Sequence, residues 1–173
     1  KQISQIEDCV ASGADAVVIG AISYEGLNNV VSEVAAKGIP VIDVINGMSS
    51  PDLAAKSLVS FKTMGYETGK YLADKHPAGS EPVKVGWFPG PAGAGWVEAG
   101  NTGFQGAIEG SAIELVDTKY GDTGREIQVR LVEEALDEAQ DLDYIVGSAP
   151  AAEAAVSVLR ARGLQGKVQI VSD

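Results

Sequence analysis

Two tryptophans flank a loop of proline and glycine, and this stretch offers the clearest binding chemistry in the chain. Residues 83–88 have the apolar pattern of a buried strand, residues 89–95 form the loop, and Trp96 stands at the start of a helix. No lysine, arginine or histidine falls between Trp87 and Trp96. In open parallel α/β sheets such loops gather at the carboxyl ends of the strands, where ligands bind. The sequence therefore predicts a pocket for a small, weakly polar molecule.

The glycines of this loop also invite comparison with phosphate-binding loops. Gly90 and Gly95 have the first spacing of a Walker loop, but Trp96 and Val97 stand where that loop needs Lys and Ser or Thr. The dinucleotide fingerprint fails too, because it must follow an N-terminal strand and precede an acidic residue by about 20 positions. A purely structural alternative remains, in which the glycines make a tight turn and the tryptophans fill the core. Trp87, inside a strand, fits that alternative better than Trp96.

Catalytic and metal-binding patterns are missing around the other reactive side chains. Ser148 lies in GSAPA, which lacks the nucleophile elbow, and the only histidine, His76, has no nucleophile or orienting acid nearby in sequence. Asp117 and Asp122 lie in DTKYGD, which does not match a calcium loop. The single cysteine, Cys9, forms no internal disulfide or metal cluster, and we expect it to be a buried structural thiol. We therefore predict no enzyme activity, no metal and no cofactor.

The charge of the chain narrows the range of partners. The chain has 173 residues, a net charge of −11 and a pI near 4.5. Nucleic acids and anionic membrane surfaces both require a basic footprint, so neither is expected. No apolar run reaches the length of about 18 residues that a membrane span needs. The chain starts within a helical pattern and ends on a strand pattern, so we expect a fragment of a larger protein.

Strands and helices are predicted to alternate along the whole chain. Strict β-α alternation with short loops indicates parallel sheets covered by helices and joined by right-handed crossovers. Gly65 and Gly69 on one helical face suggest close packing against a sheet. The pattern divides near residue 61, and we expect a ligand cleft between the carboxyl edges of two sheets. Strands are predicted at 16–20, 39–45, 57–60, 83–88, 112–118, 143–147 and 168–173, and helices at 1–12, 25–37, 63–75, 96–109, 124–137 and 151–162.

The candidate ligand-binding residues lie at the ends of these strands. Aromatic faces attract cationic or methylated ammonium groups by about 0.5–2 kcal/mol each, and hydroxyl or amide donors hold a polar oxygen. An acid inside an apolar strand must be hydrogen-bonded or face a cleft. This combination favours a small methylated amine or its oxide over a sugar. The predicted set is Tyr24, Asp43, Asn46, Trp87, Trp96, Ser148 and Asp173.

Four stretches resemble the type I periplasmic binding proteins of the ribose-binding class: QIEDCVASGADAVVIGAIS, KGIPVID, MGYETGKYLADKHP and YIVGSAPAAEAAVSVLRARG. The similarity extends over essentially the whole chain. More narrowly, MGYETGKYLA and DYIVGSA are similar to members that sense trimethylamine N-oxide. The resemblance implies two lobes joined by a hinge, a periplasmic location and closure on trimethylamine N-oxide. It also implies presentation to the sensor domain of a membrane histidine kinase, without catalysis.

Departures from the sugar-binding members support this narrower resemblance. Ile45 and Asn46 stand where those proteins carry an Asp-Arg pair, and Ser148 stands where they carry Asn. Glu98 replaces a sugar-binding arginine, and only Asp173 matches a sugar-binding acid. The resemblance assigns residues 1–60 to part of the N-terminal lobe, without its first strand, and 61–173 to most of the C-terminal lobe.

Other functions within and outside this class stay open. One is a binding protein for a sugar or an autoinducer-like ligand that serves an ABC transporter or a sensor. Another is the effector-binding domain of a LacI-type transcriptional repressor, which requires a DNA-binding module ahead of Lys1. A signal peptide or a basic helical module in that position distinguishes these classes.

Overall fold

A computed structural model describes residues 1–173, in which seven strands and six helices alternate, except that the third strand directly follows the second. The chain divides into two compact units, Lys1–Val59 and Ser60–Asp173. All strand pairs within each unit are parallel, which confirms the predicted α/β class. None of the helices combines the length and apolar character that a membrane span requires.

The first unit is a three-stranded sheet with two helices. Gly13 and Gly38 both have positive φ and follow the two helices, as expected for residues that end a helix. The strand order is β1-β2-β3. The elements are α1 (Gln2–Ala11), β1 (Val17–Ile19), α2 (Asn28–Ala36), β2 (Val41–Ile45) and β3 (Ala55–Leu58).

The core of the first unit lies on one face of its sheet. Val17 and Val41 pair across β1 and β2 and are buried in one cluster with Ile6 of α1 and Val31 of α2. Because successive strand residues point to opposite faces, Val18 points away from this cluster and is 64% exposed. One face of the sheet is therefore packed, and the other presents β-branched side chains.

Helix α1 contributes less to this core than its sequence pattern predicts. Ile6 is its only buried residue, and Ile3 is 43% exposed. Cys9 is exposed, so the prediction of a buried structural thiol is wrong. The reason is that α1 presents a narrow apolar stripe to the sheet, and Cys9 lies beside that stripe rather than on it.

The second unit is a four-stranded sheet with the order β5-β4-β6-β7. Trp87 and Phe88 of β4 are both buried, in clusters on opposite sides of the sheet. The helices therefore cover both faces, as the apolar run of β4 predicts. The elements are α3 (Phe61–Lys75), β4 (Val83–Gly90), α4 (Gly95–Ile108), β5 (Ile113–Tyr120), α5 (Arg125–Glu138), β6 (Tyr144–Gly147), α6 (Ala149–Ala161) and β7 (Gln169–Ser172).

Strand β4 is two residues longer than predicted and ends at Gly90. The pairing of β4 with β5 shifts register between Trp87 and Gly90. Pro89 lies in this irregular part, where a missing N–H donor is tolerated. The strand thus carries Gly90 to the place where α4 begins.

Helices α3 and α4 pack backbone to backbone through glycines. A Cβ atom on Gly65 would lie 2.1 Å from the carbonyl oxygen of Gly100, and one on Gly69 would lie 2.7 Å from that of Phe104. The prediction that Gly65 and Gly69 pack against a sheet is therefore wrong, because their neighbour is helix α4. Only glycine permits this close approach of two helices.

Candidate functional site

Trp96 presents a partly open aromatic face at the carboxyl edge of the second sheet. It is the second residue of α4, which begins at Gly95 after strand β4 ends. Its ring lies over Gly90, where a Cβ atom would be 2.5 Å from Trp96 Cη2, and φ of Gly90 is +126°. The side chain is half-buried and lies beside Phe61, with ring centroids 5.6 Å apart. The strand end thus supports one side of the ring.

Trp87, in contrast, lies in the core of the second unit. It is 1% exposed, and its ring stacks on Phe104 with centroids 4.2 Å apart and planes within 1°. Its Nε1 donates to Oδ1 of Asn101 at 2.7 Å, and Nδ2 of Asn101 donates to the hydroxyl of Tyr120 at 3.1 Å. This burial favours the core role that the sequence left open. Trp87 therefore has no open face for a ligand.

Ser148 places an unused hydroxyl at the same edge of the sheet. It precedes α6, and its backbone N–H donates to the carbonyl of Phe88 at 3.1 Å. The residue is 7% exposed, and its Oγ neither caps the helix nor has another hydrogen-bond partner. A buried hydroxyl without a partner is uncommon, because it loses its hydrogen bonds to water. Ser148 is therefore free to donate to a bound oxygen.

Asp173 follows β7 beside the end of β6. Its backbone N–H donates to the carbonyl of Gly147 at 3.1 Å. Although the residue as a whole is exposed, desolvation of its carboxyl raises the pKa above the ordinary aspartate value. A hydrogen bond to its own backbone acts in the opposite direction and lowers that pKa. The second unit thus brings Trp96, Ser148 and Asp173 to one edge.

In the first unit, the loops after β1 and β2 are joined by hydrogen bonds. Tyr24 is 61% exposed, and its carbonyl accepts from the backbone N–H of Ser49 at 2.8 Å. Nδ2 of Asn46 donates to the carbonyl of Ala21 at 2.8 Å. The Asn46 amide group therefore already holds the two loops together, while the Tyr24 ring is open.

Asp43 differs from the sequence-based expectation that it is hydrogen-bonded or faces a cleft. It is fully buried, and neither carboxylate oxygen has a hydrogen-bond partner. Lys56 lies opposite Asp43 on β3, but its Nζ donates to the carbonyl of Met48 at 2.9 Å. Two residues further on, Ile45 has φ +70°, which is unfavourable for a β-branched side chain. This segment therefore combines an unpaired carboxyl with backbone strain.

A comparison with known families accounts for this architecture. Residues 1–172 match the family of the periplasmic binding protein domain. The chain belongs to this family. The resemblance to type I periplasmic binding proteins, and the fold that it implied, are thereby confirmed.

Individual relatives of this periplasmic binding protein include both sensor and transport proteins. The chain is 34% identical to the periplasmic protein TorT of Escherichia coli strain K12, over 99% of this chain and 48% of TorT. It is 65% identical to an ABC transporter solute binding protein from Bradyrhizobium sp. BTAi1, whose crystal structure holds Bis-Tris. That match covers 99% of this chain and 51% of the other, with a TM-score of 0.79.

A third relative is a complex. The crystal structure of the TorS sensor domain with TorT in the presence of TMAO has a TM-score of 0.86 and 34% sequence identity. The match covers 99% of this chain and 57% of that chain. The chain thus spans about half the length of the curated relatives that it matches.

Sequence reasoning missed two neighbours of the tryptophans in this periplasmic binding protein. Phe61 was placed at a boundary, yet its ring contacts Trp96. Asn101 is absent from the predicted site residues, yet its Oδ1 accepts a hydrogen bond from the indole N–H of Trp87. The spacing of the α3 and α4 glycines is the sequence signal that could have linked Phe61 to Trp96, because glycines one turn apart also permit two helices to pack side by side.

Proposed function

We propose that this chain is the ligand-binding part of a periplasmic protein that binds trimethylamine N-oxide and signals to the sensor domain of a membrane histidine kinase. The observation that carries the proposal is the half-open face of Trp96 at the carboxyl edge of the second sheet, where Lys119 at the end of β5 is paired with Asp117 and Glu138. No lysine, arginine or histidine occurs from residue 85 to residue 118. The similarity to TorT, and to its TMAO-containing complex with TorS, supports this choice of ligand and partner.

The chemistry of the ligand suits the side chains at this edge. Methyl groups on a positively charged nitrogen pack against aromatic faces and gain about 0.5–2 kcal/mol per ring. The hydroxyl of Ser148, which has no partner, is a donor for the N-oxide oxygen. Tyr24 and Asn46 of the first unit and Asp173 of the second stay in the proposal as further contacts. Asp43 is fully buried, so its proposed role is to position a neighbouring donor and not to contact the ligand directly.

Binding without catalysis is the simplest function for these groups. His76 Nε2 lies 2.9 Å from the hydroxyl of Tyr144, so the only imidazole is engaged there. Ser148 Oγ has no partner, so no base activates it as a nucleophile. We also propose that Lys1–Val59 forms part of an N-terminal lobe and Ser60–Asp173 most of a C-terminal lobe.

Transport is the second candidate, because the 65% identical relative from Bradyrhizobium is an ABC transporter solute binding protein. In this alternative the ligand chemistry is similar, and the partner is a membrane transporter instead of a kinase.

Calorimetric titration of the full-length protein with trimethylamine N-oxide tests the proposal, with ribose as the control ligand. The titration is repeated in the presence of the kinase sensor domain. We expect the N-oxide to bind and ribose not to bind. The sensor domain should change the affinity for the N-oxide, because coupled sites alter each other's affinity. N-oxide binding that is indifferent to the sensor domain favours transport. Binding of ribose would contradict the proposed ligand.

A further inference from the structure

Helices α3 and α4 meet at three positions with one constant spacing. Phe61 contacts Trp96, Gly65 contacts Gly100, and Gly69 contacts Phe104. Each pair is separated by 35 residues, and successive pairs are four residues apart, or about one helical turn. The two helices therefore run in the same direction and in register. The Phe61–Trp96 pair is the first of these contacts along both helices.

This register determines where the two aromatic rings lie. Side chains on a helix lean towards its N-terminus, so both rings project towards the beginning of their helices. Helix α4 begins beside the carboxyl end of β4, and α3 runs parallel to it. The rings of Phe61 and Trp96 therefore lie at the carboxyl edge of the second sheet. Ser60 fixes the start of α3, because its Oγ accepts the N–H of Thr63 at 3.2 Å.

The two rings form a corner rather than a closed stack. Their centroids are 5.6 Å apart and their planes are inclined by 45°. Both side chains are half-buried. Gly90 supports the Trp96 ring from the strand side, where a Cβ atom would lie 2.5 Å from Cη2. The Trp96 ring is thus supported from the strand side, and both rings remain partly open.

The charges around the corner favour a cation. Glu98, in the first turn of α4 two residues after Trp96, is an acid, and α4 carries no basic residue. Lys62 follows Phe61, but its side chain is exposed, and adjacent residues on a helix point in different directions. An alkylated ammonium group is attracted by both ring faces.

We propose that Phe61 and Trp96 together form an aromatic corner that binds the alkylated ammonium group of the ligand. The inference rests on the proposed function and adds Phe61 as a binding residue. It also assigns the ligand class, which is a compound with a positively charged, methylated nitrogen. Gly90 acts as a positioning residue for the Trp96 ring.

Titrations of the full-length protein test this corner with two matched pairs of probes. Trimethylamine N-oxide is compared with tert-butanol, and choline with 3,3-dimethyl-1-butanol, since each alcohol has the same shape without the charged nitrogen. The variants are Phe61→Leu, Trp96→Leu and the conservative Phe61→Tyr. Tyr71→Leu is the control, because Tyr71 is an exposed aromatic residue on the same helix. Circular dichroism establishes that each variant is folded.

Removing one ring is expected to weaken binding of the charged probe by roughly 2- to 30-fold, the range of one cation–π contact. Phe61→Tyr and Tyr71→Leu should retain the affinity, and the neutral alcohols should bind far more weakly than their charged counterparts. Binding of choline but not of the N-oxide supports the corner and refutes the proposed function. Binding of the N-oxide with unchanged affinity in folded Phe61→Leu refutes the corner and leaves the proposed function intact. Failure of both charged probes refutes both.

Discussion

Replacing Gly103 by alanine gives the sharpest test of the close approach between α3 and α4. The new Cβ atom would lie 2.0 Å from the carbonyl oxygen of Lys62, whereas ordinary contacts begin at 3.4 Å. One helix must therefore retreat by about 1.4 Å. Overpacking of this kind typically costs 1–3 kcal/mol. The same substitution also gains up to about 1 kcal/mol of helix propensity, which would mask part of that loss.

Gly106→Ala separates the two effects. Gly106 lies in the same helix, is exposed and has no atom within 4 Å of a Cβ position. It gains the helix propensity without the clash, so its free energy of unfolding should rise by about 0.5–1 kcal/mol. The propensity gain is common to both variants, and their difference therefore isolates the clash at roughly 1–3 kcal/mol. Urea unfolding followed by circular dichroism measures both. Equal stability of the two variants would refute the backbone contact between these helices.

Two further substitutions test other features by the same measurement. Asn101→Ala leaves the buried indole N–H of Trp87 without an acceptor and should lower the free energy of unfolding by about 1–3 kcal/mol. Thr102→Ala, at an exposed neighbouring position, should change the free energy of unfolding by less than about 0.5 kcal/mol. Equal losses in Asn101→Ala and Thr102→Ala would contradict a stabilising role for the hydrogen bond between Trp87 and Asn101. Ile45→Gly relieves backbone strain at φ +70°, which costs about 1–3 kcal/mol, so the free energy of unfolding should stay the same or rise. Val44→Gly, in the same strand but without positive φ, should lower the free energy of unfolding. If both variants lose the same free energy of unfolding, Ile45 is not strained.

The order of strands and helices was predictable because each depends on local pattern. Runs rich in β-branched residues, such as 16–20 and 39–45, are typical of parallel strands in α/β proteins. The helices that end at Ala11 and Ala36 are each followed by a glycine with positive φ. These signals act over a few residues. They give the alternation, the parallel sheets and hence the fold class.

The candidate site was less predictable because its contacts join distant parts of the chain. Trp96 was recognised from its loop, but its neighbour Phe61 is 35 residues away and reaches it only through the packing of α3 on α4. Trp87 and Trp96 look alike in sequence, yet one stacks in the core and the other is half-open. The surroundings of Asp43 depend on where Lys56 places its ammonium group, which no local pattern determines.

The acidity of the chain has a consequence for handling the protein. A net charge of −11 produces mutual repulsion between molecules and opposes their association. Since salt screens that repulsion over about 10 Å at 0.1 M, low ionic strength should keep the molecules dispersed during purification.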